Sequence, residues 1–291
     1  MVGLWKLPSL LSVIITLFIT QRSHCWTSYR INGARRFTTA LQTASQDDVS
    51  TRGRIQQKRI FPHSNPPYLS VVTDLSSCDS DELMKAALEV LHSAVSTDQV
   101  DLVSVRVNVL SAARDQERRV VEFTRTLVQG SNEHSFRVVV SSDWVNAALK
   151  AAAHGVHVKE MHRHRIPEIR ALFGATSPLI GTSAHSVESA VSAVERHHPD
   201  YIFVGTCYPT QSHPEKTAME GPQLPGQICQ ALKELTGYRR PKVLAIGGID
   251  QSNCREPVVV FGAQGVAVIR AVVEADDPGA AVRSIRMAIS A

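Results

Sequence analysis

The stretch KVLAIGGIDQSNCREPVVVFGAQGVAVIRAV, residues 242–272, holds a short apolar run, a glycine pair, a more polar segment, and a second apolar run that begins at Gly265. Short runs of branched apolar residues bounded by glycine read as strands buried on both faces, and a longer amphipathic stretch between two of them reads as a crossover helix. Outward from this unit the same alternation recurs. Strands are expected at 68–73, 102–107, 137–140, 155–158, 179–182, 201–205, 242–246 and 265–269. Helices are expected at 81–94, 113–127, 144–153, 166–173, 187–197, 225–235, 252–261 and 278–289. In the fifth, Val187, Ala190, Val191 and Val194 recur at helical spacing behind Ser186, a residue suited to capping. In the seventh, Pro257 should kink or shorten the helix, because it lacks an N–H and crowds the preceding turn.

Eight βα units over about 224 residues, roughly 28 each, are the arithmetic of a compact (β/α)8 barrel, an α/β fold. A doubly wound open sheet would be expected to carry G-x-G-x-x-G after its first strand, and none follows residue 73. Chemistry on such a barrel gathers in the loops that follow the strands, so the strand ends are where functional residues belong.

The 291 residues are 43% hydrophobic, enough for a sizeable core. The formal charge of +4 is uneven: nine of the 31 Lys and Arg, but only two of the 27 acids, fall in residues 1–60. The body is therefore slightly acidic and lacks the basic footprint of a nucleic-acid binder. Five widely spaced cysteines with no C-x-x-C pair argue against a disulfide framework or a zinc knuckle.

The apolar block LPSLLSVIITLFITQ between Lys6 and Arg22 is shorter than a membrane span and suits a signal peptide, with Ser23 and Cys25 as the small residues of a cleavage site. The segment behind it is rich in Arg, Ser and Thr and has no acid before Asp47, the composition of a transit segment. The expected division is a signal peptide at 1–25, a transit-like disordered leader at 26–65, and the barrel at 66–291, beginning at the prolines of HSNPP. Such a two-part leader resembles those of algal proteins that reach plastids by the secretory route; ordinary secretion is the alternative. No membrane is expected to hold the mature form, and a homo-oligomer is compatible with the sequence.

At the strand ends, Gly247 and Gly248 would let backbone N–H groups approach a phosphate, helped by the dipole of the expected seventh helix, and Ile269 and Arg270 would close the other side. His185 after the fifth strand is either a general acid/base or an accessory to the Ser186 cap. Asp143 after the third either holds Mg2+ or a ligand hydroxyl, or caps a helix. His157, Lys159, Glu160, His162 and His164 read as a solvated charged loop rather than a metal site.

The pieces LSVVTD (69–74), GVHV (155–158), GTSAHSVESA (181–190), DYIFVGTCYPT (200–210), IGGI (246–249) and GVAVIRAV (265–272) together resemble the thiamine phosphate synthase/TenI family, in its order and at its spacing. The resemblance implies a small barrel of thiamine biosynthesis that binds a thiazole phosphate, with two chemistries within the family. Synthases join a pyrimidine diphosphate to the thiazole phosphate with Mg2+; tautomerases shift a proton on a thiazole carboxylate phosphate and need no cofactor. It implies phosphate binding by Gly247, Gly248, Ile269 and Arg270, substrate contacts from Arg106, Ser183, Thr210, Ser212, His213 and Lys216, proton transfer by His185, and, in a synthase, a metal on Asp143. The chain keeps Arg106 of the synthases' Gln-x-Arg-x-Lys but departs from the synthase pattern at Ser104, Asn108, Ser142, His162 and His213. Each charge-assisted interaction missing there would be worth about 1.5–3 kcal/mol. The expectation is therefore a thiazole tautomerase, with a divergent thiamine-phosphate synthase as the alternative enzyme and a non-catalytic phosphate-binding regulatory barrel as the third reading.

Overall fold

A computed structural model describes residues 61, 65–75, 80–107, 114–212 and 214–291. The expected signal peptide, nearly all of the transit-like leader, and His213 lie outside the described residues.

Eight strands close into one parallel barrel in chain order. They are β1 (Tyr68–Val72), β2 (Leu102–Val105), β3 (Arg137–Ser141), β4 (Gly155–Val158), β5 (Leu179–Ala184), β6 (Tyr201–Val204), β7 (Lys242–Ile246) and β8 (Gly265–Val268). Closure sets Tyr68 of β1 beside Gly265 of β8. Around them run α1 (Asp81–Val95), α2 (Arg114–Gly130), α3 (Val145–Lys150), α4 (Ile166–Phe173), α5 (Val187–His197), α6 (Leu224–Glu234), the short α7 (Arg270–Val273) and α8 (Pro278–Ser290). Every expected strand is present, and so are seven of the eight expected helices. The (β/α)8 reading holds.

The expected seventh helix does not form as an α-helix. Residues 251–254 make turns, and a single π segment follows at Glu256–Val260 with Pro257 in its first turn. The missing N–H of proline and the crowding of its ring account for the loss. The expected seventh helix therefore brings no α-helical N-terminus to the glycine pair.

The branched residues that alternate along each strand serve two cores. Leu69, Val71, Val103, Val105, Val138, Val140, Val156 and Ile180 face outward against the helices. Tyr68, Val72, Leu102, Val139, Leu179, Tyr201, Phe203, Leu244 and Ala267 fill the barrel. Tyr201 crosses the interior where Gly181 leaves room: a Cβ on Gly181 would lie 1.9 Å from Cζ of that ring. Phe61 closes the floor, its ring 4.7 Å from that of Tyr68 and 6.1 Å from that of Tyr201. The floor is also tied to the last helix. Arg286 of α8 donates to the fully buried Asp101 at 2.6 Å and to the Gln99 carbonyl at 3.0 Å, while Asp101 accepts from the Leu69 N–H at 2.8 Å.

Among the described residues no helix is long and apolar enough to cross a membrane. Cys207, Cys229 and Cys254 are free thiols.

Candidate active site at the mouth of the barrel

The upper layer of the barrel interior changes character. Where lower positions carry Tyr and Leu, the C-terminal ends of β2, β3 and β5 carry Ser104, Ser141 and Ser183, and the volume they leave opens into a cavity of about 510 Å³. Val72, Phe203, Ile246 and Ile269 give it an apolar wall, and Arg106, His157, Lys159, Glu160 and His185 give it charge and hydrogen-bonding capacity. Thr210, Ser212, Gly247 and Ile269 also line a neighbouring cavity of about 690 Å³, together with Gly248 and Arg270.

The glycine pair forms the turn after β7. Gly247 has φ 99° and Gly248 φ 64°, and a Cβ on Gly248 would stand 2.5 Å from the Pro209 carbonyl oxygen. The backbone of the β6 loop can approach only because both side chains are absent. The four residues expected to hold phosphate thus line one cavity with Thr210 and Ser212. Arg270 is paired with Glu274 at 3.0 Å.

His185 is half exposed and stands between two carboxylates, with Nε2 at 3.8 Å from Glu160 and Nδ1 at 3.5 Å from Glu220. Nδ1 also contacts the Gly205 carbonyl. The α5 cap is completed without it, since Ser186 Oγ accepts from the Ser189 N–H at 3.1 Å. Glu220 had no signal in the sequence; the β6 loop folds back to place it there, where it accepts from the Thr206 N–H. Burial pushes the Glu220 carboxyl up, but Lys216 and the N–H donors outweigh burial and hold it below its ordinary value.

That pairing is where the structure places Lys216, a residue expected to contact substrate. Its ammonium sits on Glu220 at 2.5 and 2.7 Å, and it does not line the cavity.

The segment after β4 is not simply a solvated loop either. His157, inside β4, turns its ring into the barrel, stacked on Phe203 at 4.7 Å, with Nδ1 3.1 Å from the Tyr201 hydroxyl and Nε2 3.0 Å from Ser183 Oγ. Burial, with the charge of Arg106 added, pushes its pKa down to about 3. It is therefore a neutral donor and acceptor in the cavity wall. Arg163 is buried and donates to Thr182 Oγ1 at 3.1 Å and to Ser189 Oγ at 3.0 Å, fixing β5 against α5. Nothing in the alternation of charges marks either residue, because both point inward only when the barrel has closed.

Three buried polar atoms on cavity-lining residues have no hydrogen-bond partner: Arg106 Nε, Ser141 Oγ and Ser212 Oγ. Buried polar groups are almost always satisfied, so a cluster of orphans around an open cavity marks a place for a polar ligand.

The sequence model of the family described as thiamine monophosphate synthase matches residues 69–272, from the first barrel strand into α7. The chain belongs to this family. Its relatives include the thiamine-phosphate synthase of Chloroflexus aurantiacus, 36% identical over 152 residues, 52% of this chain and 65% of that one. The thiamine-phosphate synthase of Shouchella clausii is 32% identical over 202 residues, 69% of this chain and 88% of that one. Among solved structures, thiamine phosphate pyrophosphorylase from Pyrococcus furiosus superposes with a TM-score of 0.58 at 27% identity, covering 77% of this chain and 95% of that one. The match spans about 65% of the Chloroflexus relative's length.

The family implies Mg2+ in its synthases, and the residues here do not fit that ion. Asp143 Oδ2 accepts from Lys159 Nζ at 2.7 Å, and Oδ1 faces His162 Nδ1 at 3.8 Å. Asp143 caps no helix, and it is not among the residues lining the cavity. Among the described residues no group of three or more His, Cys, Asp or Glu could hold a metal. A hard octahedral cation needs several oxygen ligands, and the one carboxylate at the expected position is engaged by an ammonium. The structure places Asp143, expected to hold a metal in a synthase, on Lys159 beside the cavity.

Proposed function

We propose that this barrel is an enzyme of thiamine biosynthesis that binds a thiazole phosphate at its mouth and joins it to a pyrimidine diphosphate, forming thiamine phosphate. This reverses the preference drawn from sequence. Departures at single positions are outweighed by the relatives, which bear the name thiamine-phosphate synthase at 32 and 36% identity. The single observation that carries a ligand at this place is the set of unsatisfied polar atoms, Arg106 Nε, Ser141 Oγ and Ser212 Oγ, around the cavity that adjoins the Gly247–Gly248 turn.

In this reading the turn at Gly247 and Gly248, with Ile269 and Arg270, holds the thiazole phosphate. Val72, Phe203 and Ile246 take the rings, and the Ser183 hydroxyl, positioned by neutral His157, orients them by a hydrogen bond. The condensation breaks the C–O bond of the pyrimidine diphosphate and forms a C–N bond to the thiazole nitrogen, with pyrophosphate leaving. Arg106 supplies positive charge to the departing group, where a charge-assisted contact has most effect.

One observation favours the tautomerase as a second reading: His185 between Glu160 and Glu220 is arranged to move a proton, a step the condensation does not need. The full chain would be incubated with thiazole phosphate plus pyrimidine diphosphate, and separately with thiazole carboxylate phosphate alone. Thiamine phosphate in the first mixture, retained in His185→Ala, is the expected result. An aromatised thiazole in the second mixture alone, lost in His185→Ala, would replace the condensation by the tautomerisation, and binding without turnover of either would favour a regulatory barrel.

For the leader we keep the plastid route as the proposal. A fusion of residues 1–65 to a fluorescent reporter should accumulate in plastids, and accumulation in the medium would overturn it.

A further inference from the structure

We propose that Lys159 takes the place of a divalent cation in this chain, so that the anionic end of the ligand is bound by fixed side-chain cations without metal. The inference rests on the reading of the mouth cavity as the ligand site, and not on which reaction runs there.

Lys159 both lines the cavity and donates to Asp143 at 2.7 Å. An ammonium is a compact charge with three donors. One N–H is spent on Asp143, which leaves two for the oxygens of a ligand. The carboxylate on which a metal would rest is thereby neutralised and used to hold the ammonium in place. His162, on the other side of Asp143, presents a buried Nδ1 that makes no hydrogen bond, so this position adds no anionic oxygen that could recruit a cation. Arg106 repeats the arrangement: one guanidinium nitrogen lies on Asp74 at 2.7 Å, and its Nε, buried and unpartnered, remains to donate. Each cation is thus anchored by one carboxylate and keeps donors in reserve in the wall of the same cavity. The ligand class that suits two such cations is a diphosphate or a second phosphoryl group, bound by direct N–H···O contacts.

The test is calorimetric titration of the full chain with inorganic pyrophosphate, in the presence of EDTA and again with Mg2+, together with Mn2+ binding followed by paramagnetic resonance. The wild-type chain should bind pyrophosphate in EDTA, with an affinity that Mg2+ changes by less than about threefold, and should hold no Mn2+ that Asp143→Asn removes. Lys159→Met should weaken pyrophosphate at least about tenfold, the effect of removing one charge-assisted hydrogen bond, and Lys159→Arg should restore most of it. Failure to bind pyrophosphate in EDTA, or Mn2+ binding that Asp143→Asn abolishes, would overturn the proposal. Because no turnover is measured, a chain that binds pyrophosphate yet forms no thiamine phosphate would refute the condensation and leave the assignment of Lys159 standing.

Discussion

His157 shows how far a single side chain's role depends on closure of the barrel. In the sequence it stands in GVHV at the head of a run of His, Lys and Glu, and the bland reading is a charged loop. In the fold its ring is stacked on Phe203 and its two nitrogens face Tyr201 and Ser183. Its pKa falls from an ordinary 6.5 to about 3, so between those values the unfolded chain binds a proton that the folded chain refuses. Stability from this group is fully present above about pH 6.5 and declines as the pH falls toward 3, by up to about 1.4 kcal/mol per pH unit. Denaturant unfolding of His157→Gln at pH 6.5 and 4.5 should show a smaller pH dependence than the wild type, even though the variant loses packing at both. An unchanged slope would mean that the ring protonates inside the fold. At Gly248, φ is 64° and a Cβ would meet the Pro209 carbonyl. Gly248→Ala is therefore expected to weaken inorganic phosphate binding at least about tenfold in a calorimetric titration, by pushing the β6 loop away from the turn. Of the site, the glycine pair and His185 were legible because strand ends can be located from periodicity, and Thr210 and Ser212 through the family resemblance. Glu220 and His157 were not, because their placement depends on a folded-back loop and an inward-facing register.

At the scale of elements, period and punctuation located every strand, and the error fell on the helix that carries an internal proline. The segment after β7 has apolar residues enough for a helix, yet Pro257 removes an N–H and leaves a π segment, so the glycine turn gains no dipole from that segment. The α5 cap was legible from Ser186 alone. Ser186→Ala should cost about 1 kcal/mol in denaturant unfolding, since the Ser189 N–H loses its acceptor. Strand β5 carries a sharper constraint. Gly181→Ala would drive a methyl group into the Tyr201 ring and is expected to cost about 1–3 kcal/mol by overpacking. A stability change within error would mean that the ring can swing aside.

The whole molecule divides by height. The floor of the barrel is fixed by Phe61, Tyr68 and Tyr201 and by the Arg286–Asp101 pair, and the mouth is left partly unsatisfied for a ligand. Replacing Arg286 by Met would remove the paired cation from a fully buried carboxylate and should cost about 3–5 kcal/mol, read as a lowered denaturant midpoint. The barrel itself could be read from eight apolar runs, and the family from the strand ends, but the contest between cations and carboxylates at the mouth is a property of the assembled ring. The most direct test of the central claim is formation of thiamine phosphate by the full chain from thiazole phosphate and pyrimidine diphosphate, resolved by chromatography. Product well above the enzyme-free control, falling at least about tenfold in Arg106→Met, is the expected result. Product no greater than the control would contradict the condensation proposed for this barrel.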